Sequence, residues 1–219
     1  MSTVFNNLPV TVQSVLQEVE ELDTTYEVQL PATQNPKLVA KGVMHTVRLW
    51  AVSRETGEAL YEAIMQHQPK VILELGTSAG YSTLWLALAA KQYGGRVITI
   101  DSSHDKQAMA RDFATRAGVI DSITYYESSV RDALNQLSGL VGNDTIDAVF
   151  FDADKKNYAQ YYQLLQPRLS RTHVILADDV VKYNAVMTDF ISLFADNVAY
   201  KTAINPVGHG LLIATTISN

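Results

Sequence analysis

Five carboxylates stand at or near the ends of apolar runs, Glu74, Asp101, Asp152, Asp178 and Asp179, and Lys155 follows Asp152 by three positions. An acid in that position can hold a cation, accept the hydroxyls of a sugar, or cap the helix that follows. The stretch Val71-Ile-Leu-Glu-Leu-Gly-Thr-Ser-Ala-Gly-Tyr-Ser82 reads as a buried strand entering a glycine-bearing turn and then a helix. Gly76 and Gly80 allow close approach of backbone to a ligand, and the helix start offers free N–H groups. Glu74, just ahead of the turn, would repel a diphosphate and suits a ligand carrying an ammonium or sulfonium group. The spacing is not Gly-x-Gly-x-x-Gly and no Gly-Lys-Ser/Thr is present, so the dinucleotide fingerprint and the phosphate loop are both missing.

Asp101 is placed to accept both hydroxyls of a ribose, though alone an acid there equally caps the next helix. Together with the turn it points to an adenosine-containing cofactor. Asp152, Asp178 and Asp179 end neighbouring strands whose carboxyl ends share one crevice. Three oxygen donors without Cys or His match a hard cation such as Mg²⁺ better than zinc, while singly each acid also reads as a cap. Lys155 faces the same crevice, where a nearby cation and exclusion of water would depress its pKa and make it a base; Lys156 reads as a solvated lysine. Histidines 45, 67, 104, 173 and 209 lack ligand spacing, although His209 lies in a glycine loop near the same edge. Trp50 and Trp85 read as core.

These groups need a scaffold that brings strand ends together. From Lys70 onward, strand-like runs over Val71–Leu75, Arg96–Asp101, 122–127, 146–152 and 173–178 alternate with helical segments over 82–92, 104–117, 130–138 and 158–167. That alternation is the pattern of a parallel sheet flanked by helices, an α/β fold. A helix over 184–194 and two further strands, 198–204 and Leu211–Thr216, complete the chain. The linker Asn205-Pro206-Val207-Gly208-His209-Gly210 is too short for a crossover, so these two strands pair antiparallel. The first 60 residues differ: 10–22 is amphipathic, 30–36 is breaker-rich, and 37–50 reads as a second helical stretch. This predicts a helical cap, 1–57, on a main domain, 58–219.

The 219 residues, 47% hydrophobic and 18% charged, suffice for one soluble globular domain with a real core. The absence of cysteine removes disulfides, thiolate metal sites and a cysteine nucleophile, and fits a reducing compartment. A net charge of −6 with scattered basic residues disfavours a nucleic-acid face. No signal peptide opens the sequence and no run reaches the roughly 18 apolar residues of a membrane span, so the expectation is a cytoplasmic protein.

Leu-Glu-Leu-Gly-Thr-x-x-Gly-Tyr-Ser, Asp-Ala-Asp-Lys-x-x-Tyr and Leu-Ala-Asp occur in that order, and through them the chain resembles the cation-dependent S-adenosylmethionine O-methyltransferases of the catechol and caffeoyl-CoA type, from Arg54 to the C-terminus. The resemblance implies a seven-stranded, mostly parallel sheet with an antiparallel last strand. It implies that Glu74, Gly76, Thr77, Ser78 and Ser82 line the methionine and ribose side of the cofactor, that Val52 covers it, that Asp101 holds the ribose, that Val130 and Arg131 border the adenine, and that Asp152 also faces the cofactor. Asp152, Asp178 and Asp179 would bind the divalent cation, Mg²⁺ or else Ca²⁺ or Mn²⁺, and Lys155 would take the acceptor's proton. A homodimer is implied as well. The chain departs from the family at Asp179, where an amide is usual, at His209 in place of the Asp of Gly-Asp-Gly, and at Val181-Lys-Tyr183 in place of an apolar segment often bearing Trp. An added carboxylate would weaken the ion's effect on a bound hydroxyl.

The leading expectation is methyl transfer to one hydroxyl of a catechol-type small molecule. Methylation of a hydroxylated tRNA base and a non-catalytic cofactor-binding relative are the alternatives, and a nicotinamide dehydrogenase is disfavoured by the missing glycine fingerprint.

Overall fold

The computed structural model describes residues 3–24, 28–31 and 44–217. Helices α1 (Thr3–Asn7) and α2 (Val10–Thr24) are followed by a small antiparallel pair, β1 (Val28–Pro31) with β2 (Met44–Val47). The main body runs α3 (Arg54–His67), β3 (Val71–Leu75), α4 (Tyr81–Lys91), β4 (Arg96–Asp101), α5 (His104–Arg116), β5 (Ile123–Glu127), α6 (Val130–Leu134), α7 (Leu137–Val141), β6 (Ile146–Phe151), α8 (Tyr158–Leu165), β7 (Leu169–Ala177), α9 (Asn184–Ala195), β8 (Tyr200–Asn205) and β9 (Leu211–Thr216).

The seven-stranded sheet has the order β5-β4-β3-β6-β7-β9-β8. Strands β3 to β7 pair in parallel, and β9 lies antiparallel between β7 and β8. All five residues of β3 are buried, as a strand covered on both faces requires. Side chains alternate between the two cores: Ile72 and Phe150 join one with Leu60 and Trp85, while Leu73 and Phe151 join the other with Tyr158 and Phe190. Because β4 follows β3 on one side and β6 flanks it on the other, the chain reverses its winding at β3. Crossovers part there, and a crevice opens at the carboxyl ends.

Helix α4 is buried from Tyr81 to Ala90 and apolar all round after Thr83, with the sheet below it and α3 packed along it. Gly57 permits that approach: a Cβ there would lie 2.2 Å from Trp85 Nε1. Helix α2 adds Val12, Val15, Leu16 and Val19 to the same core.

The structure corrects several sequence expectations. The stretch 37–50 is not a helix where it is described: Met44–Val47 is strand, residues 48–50 are irregular, and 37–43 lie outside the described residues. Thr46 and Val47 are β-branched, and pairing with β1 satisfies their backbone. Helix α3 is capped by Ser53, whose side chain accepts from Thr56 N. The single helix expected over 130–138 is two short ones, α6 and α7, broken at Asn135-Gln136. Among the described residues, no helix is long and apolar enough to cross a membrane.

Candidate active site

The turn after β3 is clamped between its neighbours. Gly76 N and Thr77 N both donate to Ile100 O of β4, at 2.9 and 3.2 Å, and Asp152 N donates to Leu75 O at 2.9 Å. Gly76 adopts φ +107°, and a Cβ there would fall 2.2 Å from the carbonyl oxygen of Asp152, so only glycine lets the two strand ends meet. Ser78 N and Ser103 N each donate to the Asp101 carboxylate at 2.8 Å. Two N–H donors leave lone pairs of Asp101 for further hydroxyl donors. The Ser78 hydroxyl donates to Leu49 O, which straps residues 49–52 across the turn.

Glu74 is fully buried beneath this turn, not on the cleft wall. Its carboxylate accepts from Ser82 Oγ and Thr99 Oγ1, both at 2.6 Å, and from Thr83 Oγ1. Burial raises its pKa from 4.5 to about 7, against the pull of those hydroxyls. The residue therefore braces β3, β4 and the start of α4 against one another.

Asp152, Asp178 and Asp179 converge as their places after β6 and β7 dictate, each offering an oxygen within 4.8 Å of the others. Lys155 Nζ lies 2.6 Å from Asp152 Oδ1 and 3.0 Å from Asp179 Oδ2. The other oxygen of Asp179 is bonded to His209 Nδ1 at 2.9 Å. Asp179 sits at φ 67°, a left-handed conformation that Asp tolerates better than most side chains. Asp178 is 5% exposed, and its Oδ1 is buried without a hydrogen-bond partner. Burial and the neighbouring acids push the pKa values of Asp152 and Asp178 above the ordinary carboxylate range. The expected depression of the Lys155 pKa is tied to a nearby cation; with Asp152 and Asp179 alone, burial acts to lower the pKa but the two carboxylates outweigh burial and hold it above the ordinary lysine value.

These groups line one open cleft of about 1470 Å³. Val52, Gly76, Ser78, Asp101, Val130, Asp152, Lys155, Asp178 and Asp179 all face it. Thr77 and Ser82 border a narrow recess beside it, under residues 49–52. Arg131 lies outside the cleft and donates to Gln160 Oε1 at 3.0 Å. Trp50, expected in the core, is 71% exposed on the cleft rim, with Lys106 Nζ 4.5 Å from its ring centroid. Lys106, Lys182, Tyr183 and the α2 residues Glu20 and Asp23 also line the cleft. No motif marked them; Val181-Lys-Tyr183, as a departure from the family pattern, was the one available signal.

Residues 32–202 match the family described as O-methyltransferase. The chain is 36% identical to a catechol O-methyltransferase of Mycobacterium tuberculosis over 168 residues, 76% of this chain and 73% of that protein. It is 37% identical to a catechol O-methyltransferase of Niastella koreensis over 140 residues, 64% of this chain and 62% of that protein's length. Among solved structures, an O-methyltransferase from Bacillus cereus in complex with SAH superposes with a TM-score of 0.71 at 24% identity, covering 93% of this chain and 91% of that one. The O-methyltransferase of tomaymycin synthesis from Streptomyces achromogenes, in complex with SAM, gives 0.72 at 23% identity, covering 96% and 91%. At these identities the structural likeness establishes the fold.

Proposed function

The chain belongs to the O-methyltransferase family, and on that premise we propose that it moves the methyl group of S-adenosylmethionine to one hydroxyl of a catechol-type aromatic acceptor with the help of a divalent cation. The observation that carries this reading is the meeting of Asp152, Asp178, Asp179 and Lys155 in the same cleft as Asp101 and the Gly76 turn. Asp101 takes the ribose hydroxyls, the Gly76–Ser78 backbone lies along the methionine portion, and Val52 covers it. The cleft has no phosphate loop, in keeping with a cofactor that carries a sulfonium.

The acid cluster fits a hard cation. Its donors are all oxygens, they stand within 4.8 Å of one another, and Asp178 Oδ1 is a buried acceptor with nothing to accept from. Asp152, Asp178 and Asp179 would hold Mg²⁺, Ca²⁺ or Mn²⁺, which would supply Lewis-acid chemistry that makes a hydroxyl of the acceptor more acidic. Lys155 is the chain's own group for the proton: the two carboxylates favour its charged form, and once their charge is offset the neutral amine takes the acceptor's hydroxyl proton and remains as an ammonium donor to that oxygen. In the transfer step an oxygen lone pair forms the C–O bond, the C–S bond breaks, and its electron pair leaves on sulfur as a neutral thioether. The cleft contributes mainly by alignment of oxygen, carbon and sulfur.

The test is formation of S-adenosylhomocysteine from S-adenosylmethionine and catechol, with Mg²⁺ and with chelator. Metal-dependent turnover is expected; turnover unchanged by chelation would remove the cation, and absence of cofactor binding would overturn the reading as a whole. We place the enzyme in the cytoplasm, in keeping with its lack of cysteine, and as a homodimer, for which light scattering should give twice the chain mass of 24.2 kDa.

A further inference from the structure

Charge around the cleft is unevenly matched. Arg54 is paired with Glu20, Lys155 with Asp152 and Asp179, and Lys106 donates to Ser78 while lying over Trp50. Lys156 and Lys182 also line the cleft, and neither makes an ion pair with any described residue. Both stand at the end that holds the carboxylate floor: Lys156 directly follows Lys155 after β6, and Lys182 comes after β7 beyond Asp179, its backbone N donating to His209 O at 3.2 Å.

Beside Lys182 the wall is apolar and open. Tyr183 is 39% and Val186 54% exposed, both facing the cleft, and the Lys182 ammonium lies 5.4 Å from the Tyr183 ring centroid. The acceptor end thus combines an acidic floor, an apolar wall and a cationic lip. A neutral catechol uses the floor and the wall and leaves both ammonium groups without a partner. In a chain of net charge −6, two unmatched cations lining the cleft are also the feature that would draw an anion to it.

Building on the catechol reading, we propose that the acceptor is an anionic arene, a catechol ring bearing a carboxylate, with the diol on the acid floor, the ring against Tyr183 and Val186, and the carboxylate held by Lys156 and Lys182. These two lysines are then specificity-determining: they select among catechols and take no part in the chemistry at the hydroxyl.

The experiment compares 3,4-dihydroxybenzoate with its methyl ester, which keeps ring and diol and removes the charge. With S-adenosylmethionine and Mg²⁺, wild-type protein should favour the acid in kcat/KM by at least about tenfold, the size expected for charge-assisted contacts in a partly dry site. The preference should reside in KM and shrink with added salt. In the double variant Lys156→Ala/Lys182→Ala the acid-to-ester ratio should collapse to about one, whereas Lys201→Ala, on β8 away from the cleft, should retain the wild-type ratio. Equal use of acid and ester by the wild type, or a ratio that survives the double substitution, overturns the inference. Calorimetric titration of both compounds into protein with Mg²⁺ and S-adenosylhomocysteine separates this inference from the premise. Tighter binding of the acid that the double variant loses upholds the anion site even if neither compound is methylated, in which case the methyl-transfer reading alone falls. Equal binding overturns the anion site whatever the turnover.

Discussion

Lys155 is held between two carboxylates at 2.6 and 3.0 Å, and under the proposed function the same ammonium also presents a donor to the acceptor oxygen. Lys155→Ala should lower turnover by about 10²- to 10⁴-fold, the range for losing a positioned proton-handling group. S-adenosylmethionine affinity measured by calorimetry should stay near wild type, and an unchanged rate would take Lys155 out of the mechanism. Glu74 makes a different prediction because its carboxyl is buried. Its pKa is about 7 in the folded chain against an ordinary 4.5, so between those values the folded state binds more protons than the unfolded one. Stability from this group is therefore full below about pH 4.5 and is lost as the pH rises to about 7. Glu74→Gln removes the titration, so melting curves should show the wild type losing ground to the variant across that window; parallel curves would refute the shift. The meeting of Asp152, Asp178 and Asp179 was legible in the sequence, since parallel strands deliver their carboxyl ends to one edge. The burial of Glu74 was not, because the hydroxyls that turn it inward come from Ser82, Thr83 and Thr99 on different elements. The pairing of Lys155 with both Asp152 and Asp179 was equally hidden, since Asp179 arrives from the next strand.

At the scale of elements, α3 and α4 approach closely where Gly57 meets Trp85. Gly57→Ala sets two effects against each other. Alanine in a helix interior gains about 1 kcal/mol over glycine. Its Cβ, however, would lie 2.2 Å from the Trp85 indole, which is fully buried and rigid, and overpacking of that kind costs about 1–3 kcal/mol. The clash should win, giving a lower melting temperature, and a variant more stable than wild type would show that the helices separate easily. The parallel strands were read correctly from sequence because β3, β4 and β6 are mostly apolar, β-branched or aromatic runs that are buried along nearly their whole length. Helix α3 escaped notice for the opposite reason. Its buried positions Ala59, Leu60, Ala63 and Ile64 are set among polar residues, and the side of the helix at Gly57 looks apolar only once Trp85 is packed on it. Likewise β2 owes its form to pairing with β1, a contact that no local pattern in 44–47 announces.

At the scale of the whole molecule, the N-terminal helices are continuous with the catalytic body. Glu20 of α2 accepts from Arg54 Nε at 2.9 Å and from the hydroxyl of Tyr81, the first residue of α4, while Arg54 stacks 4.0 Å from the Phe5 ring centroid. One carboxylate thus ties α1 and α2 to α3 and to the helix that begins at the cofactor turn. Tyr81 is 2% exposed, so removing Glu20 leaves a buried hydroxyl and a guanidinium without their acceptor, a loss of about 1–3 kcal/mol. Glu20→Ala should therefore lower the melting temperature. Because Tyr81 opens α4 beside Ser82, it should also weaken S-adenosylmethionine binding, and Glu20→Gln, which keeps one acceptor oxygen, should recover part of both. An N-terminal segment that merely rested on the fold would lose stability at Glu20→Ala while binding the cofactor as tightly as before, and calorimetric titration of the two variants distinguishes these outcomes.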